Sequence, residues 1–177
     1  MRGAILGTRA FAVASVSKSS SNGQLVAFKS IVSFSVALEN EYQILQCLNS
    51  SYIVRCLGRN YSFENGARLH NLFLEYMSGG SLVDLLSRFG GKLQESVIRS
   101  YTRDILRGID YLHKQGIVHC DIKRMNVLVG ANGVKLADSG SAKKIDDEEK
   151  GQEALQLRNP SVDGTRGGEP VGAVACF

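Results

Sequence analysis

The densest run of reactive side chains in the sequence is Ile117-Val118-His119-Cys120-Asp121-Ile122-Lys123-Arg124-Met125-Asn126-Val127-Leu128-Val129. Asp121, Lys123 two residues on and Asn126 five on fall in a loop between short apolar stretches. A carboxylate in such a loop can accept a hydroxyl proton. A neighbouring ammonium can neutralise a phosphoryl group in transfer. An amide oxygen can ligate a divalent metal. Lys135-Leu136-Ala137-Asp138-Ser139-Gly140 follows, and Asp138 at a strand end supplies a second hard oxygen ligand.

Three earlier features carry less information on their own. Leu6-Gly7-Thr8-Arg9-Ala10-Phe11-Ala12 lies between two strand-like stretches. A glycine-bearing hairpin there lets backbone N–H groups approach phosphate oxygens, and an ordinary hairpin fits equally well. Lys29 leaves the apolar strand Leu25-Val26-Ala27-Phe28, and Glu41 follows inside a helix where it can hold that Lys. A surface Lys and a surface helical Glu are the plain alternative. Leu74-Glu75-Tyr76-Met77 runs into Ser78-Gly79-Gly80. That extended segment can offer backbone donors and acceptors to a flat heterocycle, or it is a simple strand–turn–helix connection.

Positioning these residues falls to a definite order of elements. Residues 1–31 read as short strands with turns at Gly3, Gly7 and residues 21–23. Val36, Leu38, Tyr42, Leu45 and Leu48 recur at helical steps and predict a helix over 36–48. Strands follow over 53–57 and 69–76, with a turn at Glu64-Asn65-Gly66. Ser81 is placed to N-cap a short helix, with Asp84 at its positive end. Val97, Ile98, Tyr101, Ile105, Ile109 and Leu112 form one apolar stripe on a helix over 95–115 that Gly116 stops. Short strands at 117–118, 127–129 and 134–136 close the patterned region. An acidic run at 146–149 and a polar, Gly-rich stretch at 151–170 follow it. The order predicts an α+β chain with a strand-rich first lobe and a helical second lobe.

Composition narrows the function classes. The chain has 177 residues, 44% hydrophobic and 21% charged, which excludes collagen-like, low-complexity and mostly disordered readings. No apolar run reaches the roughly 20 residues of a membrane-spanning helix. Residues 1–38 hold Arg2, Arg9, Lys18 and Lys29 and no acid, so the formal charge of +4 arises there. No basic cluster interleaved with aromatics follows, which argues against a nucleic-acid surface. The acid-free, Ser-rich start also fits a transit peptide, but the strands that must carry Lys29 lie within it. Cys47, Cys56, Cys120 and Cys176 lack C-x-x-C spacing and metal-type His partners. They read as free thiols of a reducing compartment, the cytoplasm or nucleus.

Taken together, the motifs resemble the signature set of protein kinases over residues 2–145. They are most similar to plant mitogen-activated protein kinase kinase kinases of the serine/threonine class. The short interval from Lys29 to Glu41, the phrase Tyr52-Ile53-Val54-Arg55-Cys56-Leu57-Gly58 and His119-Cys120-Asp121-Ile122-Lys123 carry that likeness. The resemblance implies a protein-kinase-like two-lobe α+β fold. Residues 1–77 would form the N-lobe and hinge, and 78–145 an incomplete helical C-lobe. Residues 146–177 would be an incomplete activation segment and a tail without order. ATP and Mg2+ are the implied cofactors. The implied partner is a protein substrate, a MAP kinase kinase among the candidates, with no nucleic acid and no membrane.

The same resemblance implies roles. Leu6 and Gly7 would belong to the phosphate-covering loop. Lys29 would contact the α- and β-phosphates and pair with Glu41. Leu74 would be the gatekeeper, Glu75 and Met77 would present backbone groups to adenine, and Ala27 and Leu128 would sandwich the ring. Asp121 would be the catalytic base, Lys123 would sit at the γ-phosphate, and Asn126 and Asp138 would hold Mg2+.

The sequence also departs from the family pattern. Arg9 and Ala12 replace two loop glycines, and Ala14 stands where a Val covers adenine, a loss of about 1–2 kcal/mol of contact. Cys120, expected in the plant group, removes an Arg that would clasp a phosphorylated loop. Ser139 replaces the Phe of Asp-Phe-Gly, a change of about 3–5 kcal/mol in a packed site. After Gly164-Thr165 the family continues with Ala/Ser-Pro-Glu and further helices, which this sequence does not show. A truncated product is the expectation, with apolar side chains exposed along the 95–115 helix. The readings that stand are a serine/threonine kinase domain, an inactive remnant that binds nucleotide or a partner, and a non-functional translation product.

Overall fold

In a computed structural model, the protein is described at residues 5–9, 12–18, 23–32, 35–64 and 66–145. The 146–149 run, Gly164-Thr165 and the expected tail lie outside the described residues. So do Ala10 and Phe11 of the first hairpin.

Strands β1 (Ile5–Arg9), β2 (Ala12–Lys18), β3 (Leu25–Val32), β4 (Cys56–Glu64) and β5 (Ala67–Glu75) form one antiparallel sheet in the order β1-β2-β3-β5-β4. β3 lies at its centre. Period-two alternation places Ala27 and Lys29 on one face and Phe28 and Ser30 on the other. The register pairs Ala27 with Leu74 and Lys29 with Leu72. On the face opposite Lys29, Ser30 Oγ donates to Asn71 Oδ1 at 2.5 Å, and Asn71 Nδ2 donates to Asn60 Oδ1 and Ser62 Oγ. Satisfied in this way, a polar ladder that is buried at Ser30 and Asn71 and opens outward at Asn60 ties β3, β5 and β4 together.

Helix α1 (Val36–Leu45) packs against this sheet. Ser35 caps it by accepting from the Leu38 N–H at 3.3 Å. Leu38, Glu41, Ile44 and Leu45 form its buried stripe. The helix is shorter than its apolar period. Cys47 and Leu48 form three-residue turns onto the carbonyls of Ile44 and Leu45, and Leu48 stays buried without continuing the helix. The strand expected over 53–57 begins only at Cys56. Ile53 and Val54 are buried as a linker instead, and the Val54 N–H donates to Leu136 O at 2.8 Å while the Leu136 N–H donates to Tyr52 O at 2.8 Å. Apolar β-branched residues read as a strand, but here they tie the first half of the chain to the second.

The second half comprises α2 (Leu82–Arg88), α3 (Glu95–Lys114), β6 (Ile117–Val118), β7 (Val127–Gly130), β8 (Gly133–Leu136) and β9 (Lys143–Lys144). β7 pairs with β8 and β6 with β9. Ser81 and Asp84 form a capping box on α2. On α3, Leu112 is buried, and Tyr101, Ile105 and Ile109 pack on the core. Gly108 lets the helix close on β8, since a Cβ there would lie 3.0 Å from Leu136 Cδ1. Ile98, part of the expected apolar stripe, is 49% exposed, and Leu106, outside that stripe, is 59% exposed. The predicted open apolar face of this helix is therefore present. One core runs through both halves and includes Leu72, Leu74, Met77, Val127, Val134 and Leu136. No helix among the described residues is long and apolar enough to cross a membrane.

Candidate active site

Lys29 lies within the central strand, which continues to Val32 rather than ending there as the sequence suggested, and its side chain meets two carboxylates. Its Nζ lies 2.6 Å from Glu41 Oε2 on α1 and 2.7 Å from Asp138 Oδ1 in the loop after β8. Burial works against the ammonium, yet the two carboxylates outweigh it and raise its pKa above the ordinary lysine value. Burial pushes the Glu41 carboxyl up against the pull of Lys29. Among the described residues Glu41 Oε1 is buried without a geometric hydrogen-bond partner, so Lys29 on Oε2 is the main group opposing the burial of this carboxyl, with the Ser139 backbone adding to it. Asp138 adopts the left-handed backbone region at φ 66°, uncommon outside glycine, and begins a 3-10 turn over Ser139–Ser141. Ser139 is fully buried beside α1.

The loop after β6 holds the second cluster. Lys123 Nζ donates to both Asp121 oxygens, at 2.8 and 2.7 Å. Asn126 is buried, and its Nδ2 donates to Asp121 O at 2.9 Å and Asp121 Oδ2 at 2.8 Å. Both partners are acceptors, which fixes the amide orientation and turns its carbonyl oxygen away from Asp121. The Ala137 N–H donates to Asn126 O at 2.9 Å and joins this loop to the one bearing Asp138. His119 makes a second tie. Its Nδ1 accepts from the Asp121 N–H at 3.4 Å, so its Nε2 carries the proton and donates to Ala137 O at 3.1 Å. Desolvation lowers the His119 pKa, in keeping with a neutral ring. Cys120 stands between His119 and Asp121 at φ 58°. Among the described residues the two non-glycine residues of uncommon backbone are thus Asp138, one of the candidate carboxylates, and Cys120, next to the other.

Other candidate residues line the region between the halves. Leu74 is buried opposite Ala27 on β5, and Ala27 and Leu128 are half-buried against the core. The Gly79 N–H donates to Val129 O and the Val129 N–H to Gly80 O, so the segment after β5 is stitched to β7. Met77 turns its side chain inward, with Cε against Gly130. The Glu75 N–H donates to Arg55 O at 3.0 Å, and its side chain accepts from the Arg55 N–H and from Lys135 Nζ. Met77 and Glu75 are therefore left with backbone groups only to offer a ligand. β1 pairs Gly7 with Ala14 and bulges at Leu6, and the Leu6 side chain lies outside the described residues.

A strand lysine clasped by a helix carboxylate and a loop carboxylate, with an Asp–Lys–Asn loop tied to the latter through Ala137, can bind a polyphosphate and receive a hydroxyl proton. Comparison with known proteins gives the family. The protein kinase domain model matches residues 2–166. This chain belongs to the protein kinase family. The kinase domain is 39% identical over 148 residues to mitogen-activated protein kinase kinase kinase 17 of Arabidopsis thaliana, covering 82% of this chain and 40% of that protein. It is 40% identical over 154 residues to kinase kinase kinase 20 of the same plant, covering 82% and 45%. Human mitogen-activated protein kinase kinase kinase 1 is 40% identical over 111 residues, 62% of this chain and 7% of that protein. The chain thus spans less than half the length of these curated relatives. Protein kinase domains use ATP with a divalent metal ion.

Sequence reasoning missed three ties around this site: the bonds of Asn40, His119 as a link between loops, and Lys135 as the partner of the expected Glu75. Asn40, His119 and Lys135 are each one polar side chain among many. Their value comes from partners far along the chain, and no local spacing signals it.

Proposed function

We propose that this kinase domain transfers the γ-phosphoryl group of ATP to serine or threonine hydroxyls of a protein substrate. The relatives' names specify a MAP kinase kinase, which we take as the substrate class. The observation that carries this reading is Lys29 held at once by Glu41 and Asp138. Lys29 steadies the α- and β-phosphates. Adenine lies between Ala27 and Leu128, below Leu74, and meets the backbone of Glu75 and Met77. Leu6 and Gly7 cover the phosphates. Asp121 takes the hydroxyl proton as the substrate oxygen bonds to the γ-phosphorus and the bond to the β–γ bridging oxygen breaks, releasing ADP. Lys123 neutralises the charge on the transferring group.

Asn126 and Asp138 would hold Mg2+, since an amide oxygen and a carboxylate are the hard donors that ion takes beside phosphate oxygens. When bound, it supplies neutralisation of the phosphate charge. Cys47, Cys56 and Cys120, none in a disulfide among the described residues, fit a cytoplasmic or nuclear setting.

The second reading is a nucleotide-binding module without transfer, and Ser139 at an aromatic's position favours it. Labelled phosphate transfer from ATP to an inactive MAP kinase kinase decides between the two. The first reading predicts transfer that Asp121→Asn reduces by about 10²–10⁴-fold while ATP binding persists. ATP binding with no transfer selects the second reading, and no ATP binding removes both.

A further inference from the structure

We infer that Asn40 is a positioning residue that fastens α1 to the loop bearing Asp138 and so sets the geometry of Lys29, an inference that rests on the reading of that site just given. Asn40 Nδ2 donates to Gly140 O at 3.0 Å and to Ala142 O at 2.9 Å. Both partners are carbonyls, so only the amide nitrogen can face them and the side-chain orientation is fixed. Ala37, Asn40, Glu41 and Ile44 recur at three and four residues and share one face of α1. That face closes on the turn after Asp138. Gly140 sits so near that a Cβ would lie 3.2 Å from Ala37 O. Ser139 is fully buried but small, and brings little apolar area to the contact. The directional bonds of Asn40 therefore carry the docking that a large side chain would otherwise supply by burial. Asn40 and Glu41 are consecutive. One grips the loop two residues beyond Asp138, and the next meets Lys29, which meets Asp138 itself. A displaced α1 would move Glu41 and Asp138 apart and release Lys29 from one of them.

The test compares the 177-residue protein with Asn40→Ala, Asn40→Asp and Asn40→Gln. Aspartate keeps the size but presents oxygen to two carbonyls, whereas glutamine keeps the donor. Each bond nets about 1 kcal/mol, so losing both corresponds to about a 30-fold drop in hydrogen-exchange protection across α1 and residues 139–142. The drop should appear in the Ala and Asp variants, with the Gln variant between them and the wild type. Protection elsewhere in the sheet should hold. In phosphoryl transfer, kcat should fall about as much while the ATP KM changes less than about threefold. Unchanged exchange at α1 and 139–142 in both the Ala and Asp variants overturns the inference, as does a uniform loss over the whole sheet. Failure of the wild type to bind ATP counts against the reading of the nucleotide site, whereas the exchange comparison judges Asn40 by itself.

Discussion

At Lys29 three charges occupy one partly buried volume, and their arrangement depends on every member. Removing the ammonium leaves Glu41 buried beside Asp138 with no counter-charge, a loss of the kind that costs about 3–5 kcal/mol in a fully buried pair and less here, where Asp138 reaches solvent. Lys29→Met should therefore lower the thermal midpoint by several degrees as well as weaken ATP binding, and calorimetry measures the first effect separately. His119 gives a pH prediction with a definite sign. Its folded pKa lies below the ordinary 6.5, so the folded state resists a proton that the unfolded state accepts. Its contribution is complete above pH 6.5 and falls as the pH drops from there through the depressed value. Denaturant titrations between pH 7 and 5 should show a stability slope of up to about 1.4 kcal/mol per pH unit that shrinks in His119→Gln. An unchanged slope in the variant would assign it to other groups.

Among the elements, the contact between the segment after β5 and strand β7 is the tightest joint of the cleft. A Cβ on Gly79 would lie 2.7 Å from both the Cβ and the carbonyl oxygen of Val129. Gly79→Ala should cost about 1–3 kcal/mol by overpacking and pull the segment away from β7, visible as faster exchange at Gly79 and Val129. Retained stability and exchange would show that the joint has slack. Ser139→Phe should also destabilise, because Ser139 is already closed over by its neighbours. Much of this architecture was legible from periodicity alone. The central strand bearing Lys29, which runs three residues past the expected end to Val32, the capped helix after Ser81 and the long helix to Lys114 follow from local pattern and punctuation. The linker at Ile53 and Val54 did not, since whether an apolar pair joins a strand or plugs a seam is decided by β8, some 80 residues later. The Asp121–Lys123–Asn126 cluster was legible because loop geometry brings near neighbours together. Asn40 was not, because its partners lie 100 and 102 positions away.

For the whole molecule, one core joins the sheet to the helical half, while the outer face of α3 presents Ile98 and Leu106 to solvent. Exposed apolar residues that lie along one helix promote self-association. Ile98→Lys combined with Leu106→Lys should reduce association in sedimentation velocity and leave the thermal midpoint within a few degrees, since neither side chain contributes to the core. A large fall in the midpoint would mean that this face is packed in solution. The central claim is that Lys29, Glu41 and Asp138 form a nucleotide site in this chain, and a thermal-shift titration with Mg2+ and ATP tests it most directly. At 100 times its dissociation constant a ligand adds about 2.7 kcal/mol to stability. A cooperative transition that ATP raises in the wild type, and leaves unmoved in Lys29→Met, is the predicted result. A cooperative transition that ATP does not move, or moves equally in both proteins, would contradict it.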